Sequence, residues 1–317
     1  GFGLPQLEKY IKKMQNNGYT VVVYTQDNQS KNTTRSLNTI FSPGTYFSND
    51  NNELSNNIMS IWISYYTNLS KIKCITFGIT NIDIYTGKVS TFEYSNEYIH
   101  NPTTYDELER YISIYNPKET IIISNLDSNI IEDIINFVSL NSNKILKINL
   151  NNNNNDIIKI CKNAEKQIYQ EEIIKKFYKD VNYEIILNNL QSYSIAVQSF
   201  VFLLDYIYKH NPNLIYNLSE PILENYTSRL ILANHSLKQL NIIQDNRYNG
   251  KYSCVLNLLN NCITEMGKRK FQHNLLNPII DNEELNLSYD ITEYLLKEEK
   301  IWKNFKNELS EMRDIEK

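Results

Sequence analysis

The chain has 317 residues, a net charge of −4 at pH 7 and four cysteines. That length holds two or three domains with cores of their own, and the mild acidity excludes wrapping nucleic acid by bulk positive charge while leaving room for a local basic patch. No uninterrupted apolar run reaches the about 18 residues of a membrane span, and no basic-then-apolar N-terminus marks a signal peptide, so neither a membrane partner nor secretion is implied.

The elements follow in order. Pro5 suits a first helical position, and Leu7, Tyr10, Ile11 and Met14 fall on one face of the predicted first helix. Asn16-Asn17-Gly18 ends it, and Val21, Val22 and Val23 predict a strand buried on both faces. "RSLNTIFSPGT" predicts a short strand closed by the turn Ser42-Pro43-Gly44. From residue 58 the pattern is strand-like, with "KCITFGITNIDIYTG" and "KVSTFEY" joined as a hairpin near Thr86-Gly87. "TTYDELERYISIY" predicts a helix with a capping box, Thr104 with Glu107 three residues on. "TIIIS" and "KILKINL" predict two buried strands around a helix carrying Ile130, Ile131, Ile134, Ile135 and Val138. A hairpin followed by alternating strands and helices is an α/β layer with some parallel pairing.

Beyond the asparagine run at 151–155 the strands fade and helices follow. "SIAVQSFVFLLDYIYKH" is apolar nearly all round but too short to span a membrane, which predicts a buried core helix. Pro212 and Pro221 bracket a linker and a domain boundary, after which the chain is helical. Thr264 and Asp281 are the expected N-caps of two of those helices, and Pro278 closes the first.

Chemical motifs are scarce. Cys74, Cys161, Cys254 and Cys262 show no CxxC spacing, which predicts free thiols in a reducing intracellular compartment. None of the eight glycines makes a phosphate-binding loop, and His100, His210, His235 and His273 are too scattered for a histidine-centred site. Asp83, Glu107 and Asp127 are the acids that a ribonuclease-H-like layer could use to hold magnesium, although each also suits a turn or a cap. Lys268, Arg269 and Lys270 in "MGKRKFQH" predict a solvated helix face, with a phosphate-contacting patch as the rival reading.

Several separated stretches resemble one family, the MutS-type DNA mismatch repair proteins. "GFGLPQLEKYIKKMQNNGYTVVVYTQ" is similar to the family's Gly-Ile/Phe-Pro segment with its Tyr-bearing helix and Val-rich strand. "RSLNTIFSPGT" resembles its Arg-x-x-x-x-Ile-x-x-Pro-Gly-Thr turn, "IDIYTGKVSTFE" its connector hairpin, and "NPKETIIIS" its Asn-Pro-x-Glu strand entry. "LANHSLKQLNII", "LNLLNNCITEMGKRKFQHNLLNPIID" and "MRDIEK" resemble the run of motifs in its core domain. The departures are Gly3 for Pro, Thr25 for Glu, Leu237 and Lys238 for paired arginines, Asn274 for Trp and Lys317 for Arg. The 47 asparagines and the "LPQLEKYIKK" wording resemble the giant-virus branch.

The resemblance implies a chain of mixed α/β and all-α domains, cut from a longer protein. Residues 1–45 would end a mixed α/β mismatch-binding domain, 46–212 form a ribonuclease-H-like connector domain, and 213–317 begin a helical core and lever domain. It implies nucleic-acid contacts at Gly1, Phe2, Lys9 and Arg35, with Lys12 and Lys13 nearby, and double-stranded DNA with mismatches as the partner. It implies no catalysis and no cofactor within these residues. In the longer parent it implies a DNA-dependent ATPase using ATP and Mg, a homo- or heterodimer formed through the ATPase domain, and a downstream repair factor. On the residues alone, a metal-dependent nuclease using Asp83 and a purely structural interaction module stay open.

Overall fold

The computed structural model describes residues 4–26, 35–47, 54–99, 101–152, 156–179, 183–224, 230, 234–243 and 250–317. They form two compact units, Gly1–Tyr105 with Tyr115–Glu224 and Asp106–Ile114 with Asn225–Lys317.

The first unit opens with helix α1 (Leu4–Gln15) and an antiparallel ribbon of β1 (Val21–Gln26) and β2 (Arg35–Phe41). The ribbon corrects the expectation of a doubly buried strand. Exposure alternates along β1, with Val22 and Tyr24 facing out and Val21 and Val23 half-buried. On α1, Ile11 is buried, but Tyr10 and Met14 are 41% and 48% exposed. A helical stripe predicts which residues share a face, not how much of that face another element covers.

The main sheet is built from β3 (Asn57–Thr67), β4 (Lys73–Asp83), β5 (Val89–Glu97), β6 (Glu119–Ser124), β7 (Lys144–Asn149) and β8 (Ile222–Leu223), in the order β7-β6-β3-β4-β5-β8. β3, β4 and β5 run antiparallel; β6 and β7 are parallel to β3, and β8 is parallel to β5. Central strand β3 begins where the polar stretch 48–57 ends, ahead of the two hairpin strands that the sequence pattern singles out. Gly87 makes the predicted turn after β4 at φ +67, where any Cβ would lie 2.3 Å from the Asn217 carbonyl oxygen.

One sheet face is covered by α7 (Ser194–His210), the apolar-all-round segment, with α4 (Asp156–Ala164), α5 (Gln167–Phe177) and α6 (Tyr183–Leu190) behind it. Its Phe200, Phe202, Leu203 and Leu204 are fully buried in one cluster with Ile58, Trp62, Ile82 and Ile121 of the sheet. α7 comes so close because β4 carries Gly78: a Cβ there would stand 2.2 Å from the Ile195 carbonyl carbon. Next to it Glu93 of β5 accepts from the amides of Ile195 and Ala196, both at 2.8 Å, supplying a carboxylate to the first turn of α7. On the other face, Phe77 of β4 meets Tyr105, which stacks on Phe137 of α3 (Ser128–Phe137).

The second unit takes in most of α2 (Asp106–Tyr115), and α8 (Asn234–Gln239), α9 (Val255–Leu259), α10 (Glu265–Leu276), α11 (Asn282–Lys297) and α12 (Glu299–Glu311). The predicted caps form: Thr264 accepts from the Gly267 amide at 3.1 Å and Asp281 from the Glu284 amide at 2.9 Å. The capping box at Thr104 does not. A 3-10 turn over Pro102–Tyr105 precedes α2, and the Thr104 hydroxyl donates instead to the Ile99 carbonyl at 2.7 Å. Leu237, one of the two departures from an arginine pair, is buried in this unit, where a guanidinium would need a partner.

Candidate nucleic-acid interface and its joint to the sheet

Of the four residues expected at DNA, Gly1 and Phe2 lie outside the described residues. Lys9 is exposed on α1 and Arg35 is exposed at the end of the ribbon where residues 27–34 join its two strands, paired in register with Gln26. Neither has an ion-pair partner among the described residues, which leaves both charges available to phosphate oxygens. They sit on different elements and are not bonded to each other.

The acids proposed as metal ligands are not brought together. Asp83 ends β4, where its carboxylate accepts from the Asn56 amide (2.9 Å), the Tyr85 amide (3.1 Å) and the Thr86 hydroxyl (2.7 Å), closing the hairpin. Asp127 follows the far end of β6, so strands of six residues, about 20 Å long at ~3.3 Å per residue, separate it from Asp83. Glu107 pairs with Arg110 at 3.0 Å. β3, the central strand, carries no carboxylate. Among the described residues no three acids, histidines or cysteines converge for a metal.

The basic run of α10 also has a different role. Arg269 is only 12% exposed and forks onto Asp314, with both guanidinium nitrogens at 2.7 Å from its two oxygens. It also reaches Glu316 through Nε at 3.1 Å and Nη2 at 2.8 Å. Lys268 pairs with Glu265 at 2.8 Å. Two motifs that the sequence shows only as separate stretches, "MGKRKFQH" and "MRDIEK", are thus halves of one ionic tie. The four cysteines are free, and burial pushes the Cys161 thiol up to about 12, far from the range of a reactive thiolate.

Two stretches that the sequence shows apart, the Ser42-Pro43-Gly44 turn and "NPKETIIIS", meet in a joint. Segment 4–47 meets the end of the sheet at which β3, β6 and β7 begin. Ser42 and Thr45 close the Pro43-Gly44 turn through Ser42 N to Thr45 Oγ1 at 3.0 Å and a hydroxyl pair at 2.9 Å. Gln15 of α1 donates to the Ser42 carbonyl at 2.9 Å, and Asn56 donates to the Tyr46 carbonyl at 2.8 Å. Gly44 turns its amide onto Glu119 Oε2 at 2.9 Å, and a Cβ on it would come within 2.8 Å of Glu119 Cβ and 2.9 Å of Ile58 Cβ. Glu119 is fully buried; its other oxygen accepts from the Tyr206 hydroxyl at 2.9 Å and the Lys144 ammonium at 3.0 Å. Lys144 in turn donates to Thr20 at 2.9 Å. Gly18, at φ +78, stands where a Cβ would be 2.5 Å from the Asn143 carbonyl oxygen. His210 lies against Tyr206 with ring centroids 4.2 Å apart, and burial holds its imidazole below the usual histidine value, hence neutral.

Two cavities lie among the described residues. One, at the joint between Lys12, Gln15, Asn56, Tyr85 and Asn143, encloses about 20 Å³. The other is an open groove of about 570 Å³ on the α4–α5 corner, lined by the local stretch Asn163–Glu172.

Residues 235–317 match the family MutS domain III, within the second unit. Across 100% of its length the chain is 31% identical to a mutS-homologous DNA mismatch repair protein of Acanthamoeba polyphaga mimivirus, of which it covers 30%. It is 26% identical over 97% of its length to the DNA mismatch repair protein MutS of Caldanaerobacter subterraneus, covering 32% of that protein. Over 46% of its length it is 34% identical to a mitochondrial mutS homologue of Sarcophyton glaucum, covering 16%. The chain therefore spans about a third or less of the length of these curated relatives.

Proposed function

From the premise that this chain belongs to the MutS family, we propose that it serves DNA mismatch recognition as the portion linking a DNA-contacting segment to the rest of the protein. In this reading residues 1–45 end the mismatch-binding domain, 46–212 are the connector and 213–317 begin the core and lever. The observation that carries it is the collinear similarity to MutS proteins over essentially the whole chain. The strand order supports the connector assignment: three antiparallel strands followed by two parallel ones, with the first strand central, is the order of ribonuclease-H-like layers. A mispair unstacks and bends more cheaply than a matched step, by a few kcal/mol, and a protein sensing that difference must pass strain through parts such as these. ATP and Mg²⁺ would be bound, and dimers formed, outside these residues, as the family resemblance implies.

The experiment is a salt titration of binding to duplex DNA with and without a G·T mispair. The chain is expected to bind weakly, without preference for the mispair, and to hydrolyse no ATP. Lys9→Glu combined with Arg35→Glu is expected to weaken binding to both duplexes equally and to flatten the log–log salt dependence by about two, one for each phosphate no longer neutralised. Clear preference for the mispair, ATP turnover above background, or an unchanged salt slope in the double variant would contradict this assignment.

A further inference from the structure

We propose that Glu119 is the positioning residue that holds segment 4–47 to the sheet in one orientation. One carboxylate at the start of β6 binds three elements at once. It takes the Gly44 amide from the turn after the ribbon, the Tyr206 hydroxyl from α7 and the Lys144 ammonium from β7, and through Lys144 it reaches Thr20 between α1 and β1. The turn itself is closed by its own Ser42 and Thr45 hydroxyls, and its Gly44 amide donates outward to Glu119 of the sheet. Ionised, a carboxylate is an acceptor with about four lone-pair sites, which suits it to gather donors from separate elements; no neutral side chain of that size does so without also presenting a donor.

The elements it joins are otherwise held differently. β3 and β4 share an eleven-residue antiparallel ladder and carry α7 on one face, so they do not depend on Glu119 for their pairing. The ribbon has two strands and a half-covered face, and its hold on the sheet is the joint. Removing the carboxylate leaves the Gly44 amide buried beside Ile58 without its acceptor, which favours local release of the segment over retention of the turn in place. In the proposed function, this joint is where a displacement of the ribbon would reach α7; that consequence rests on the mismatch-recognition reading, whereas the joint itself does not.

Hydrogen exchange on the whole 317-residue chain, followed by peptide, tests it without DNA. In Glu119→Ala, amides of α1, β1 and β2 are expected to exchange at least about tenfold faster than in the parent, while those of β3 and β4 stay protected. Glu119→Gln, which keeps an acceptor for Gly44, should fall between. Gly44→Ala, which pushes the turn away from Glu119 by steric overlap, is expected to give the same selective release. Parent-like exchange of the ribbon in Glu119→Ala overturns the proposal. So does equal acceleration of β3 and β4, or failure of both Glu119→Ala and Gly44→Ala to keep the β3–β4 ladder, since the joint would then be inseparable from the fold. Absence of DNA binding by the parent would contradict the functional reading and leave this result standing.

Discussion

Gly78→Ala is expected to lower the stability of the first unit by about 3 kcal/mol or more, at the top of the range for overpacked cores, because the new methyl would meet backbone. A Cβ at this position falls 2.2 Å from the Ile195 carbonyl carbon, 2.3 Å from its oxygen and 2.5 Å from the Ala196 nitrogen. A side chain could rotate away; the first turn of a helix cannot. α7 must lift off β4, which pulls Phe200, Phe202 and Leu203 out of the cluster they fill and lengthens both amide bonds to Glu93. In thermal unfolding, a loss of that size is a fall in midpoint of roughly 6–12 °C for a unit of this size. Gly250→Ala, at a site with nothing within 4 Å of the added atom, tests whether any glycine substitution does the same, although its φ of +129 strains the backbone there. A Gly78→Ala midpoint within a degree of the parent would mean that α7 does not pack on β4 as described.

The second large effect belongs to the other unit. Arg269→Ala is expected to cost ~2–3 kcal/mol, somewhat below a fully buried pair, because Asp314 and Glu316 are left facing each other without their shared cation. The cost should depend on pH in a defined direction. The hydrogen bonds from Arg269 hold the Asp314 carboxyl below its ordinary value of 3.8. A carboxyl whose folded value is depressed stabilises the fold fully above the unfolded value and loses that contribution as pH falls through the folded one. The difference in urea midpoint between parent and Arg269→Ala should therefore be full at neutral pH, begin to shrink below about pH 4 and approach zero in stronger acid. Arg269→Lys, a point charge that cannot fork onto Asp314, is expected to recover only part of the loss. A pH-independent difference would show that Arg269 acts by packing alone.

How much of this was legible beforehand follows from the range of each interaction. The caps at Thr264 and Asp281 and the Gly87 turn were legible because cap and turn involve residues within a few positions of one another. α7 was legible as a core helix because a segment apolar on every side has no stable place except an interior. The Thr104 capping box failed on local ground: a 3-10 turn offered the hydroxyl a nearer carbonyl. Ribbon burial failed because it depends on what else covers the ribbon.

Glu119 carried one trace in the sequence, its place in "NPKETIIIS", but the turn it holds is 75 residues away. Arg269 looked like one of three equivalent cations until its partners, 45 and 47 positions on, took it out of solvent. Asp83 and Asp127 were two of the three acids that could have shared a metal until the sheet put them at opposite ends. By itself, then, the sequence determined most of the helices and strands in their order, the caps at Thr264 and Asp281, the Gly87 turn, the mixed α/β class of the first part and the MutS resemblance, all written in short-range periodicity or in motif order along the chain. The tertiary structure alone decided which charges are spent internally and which remain for a partner, because a carboxylate or guanidinium has the same local signature in solvent as in an ion pair. Only the fold sets the distance to its counter-charge and the water between them.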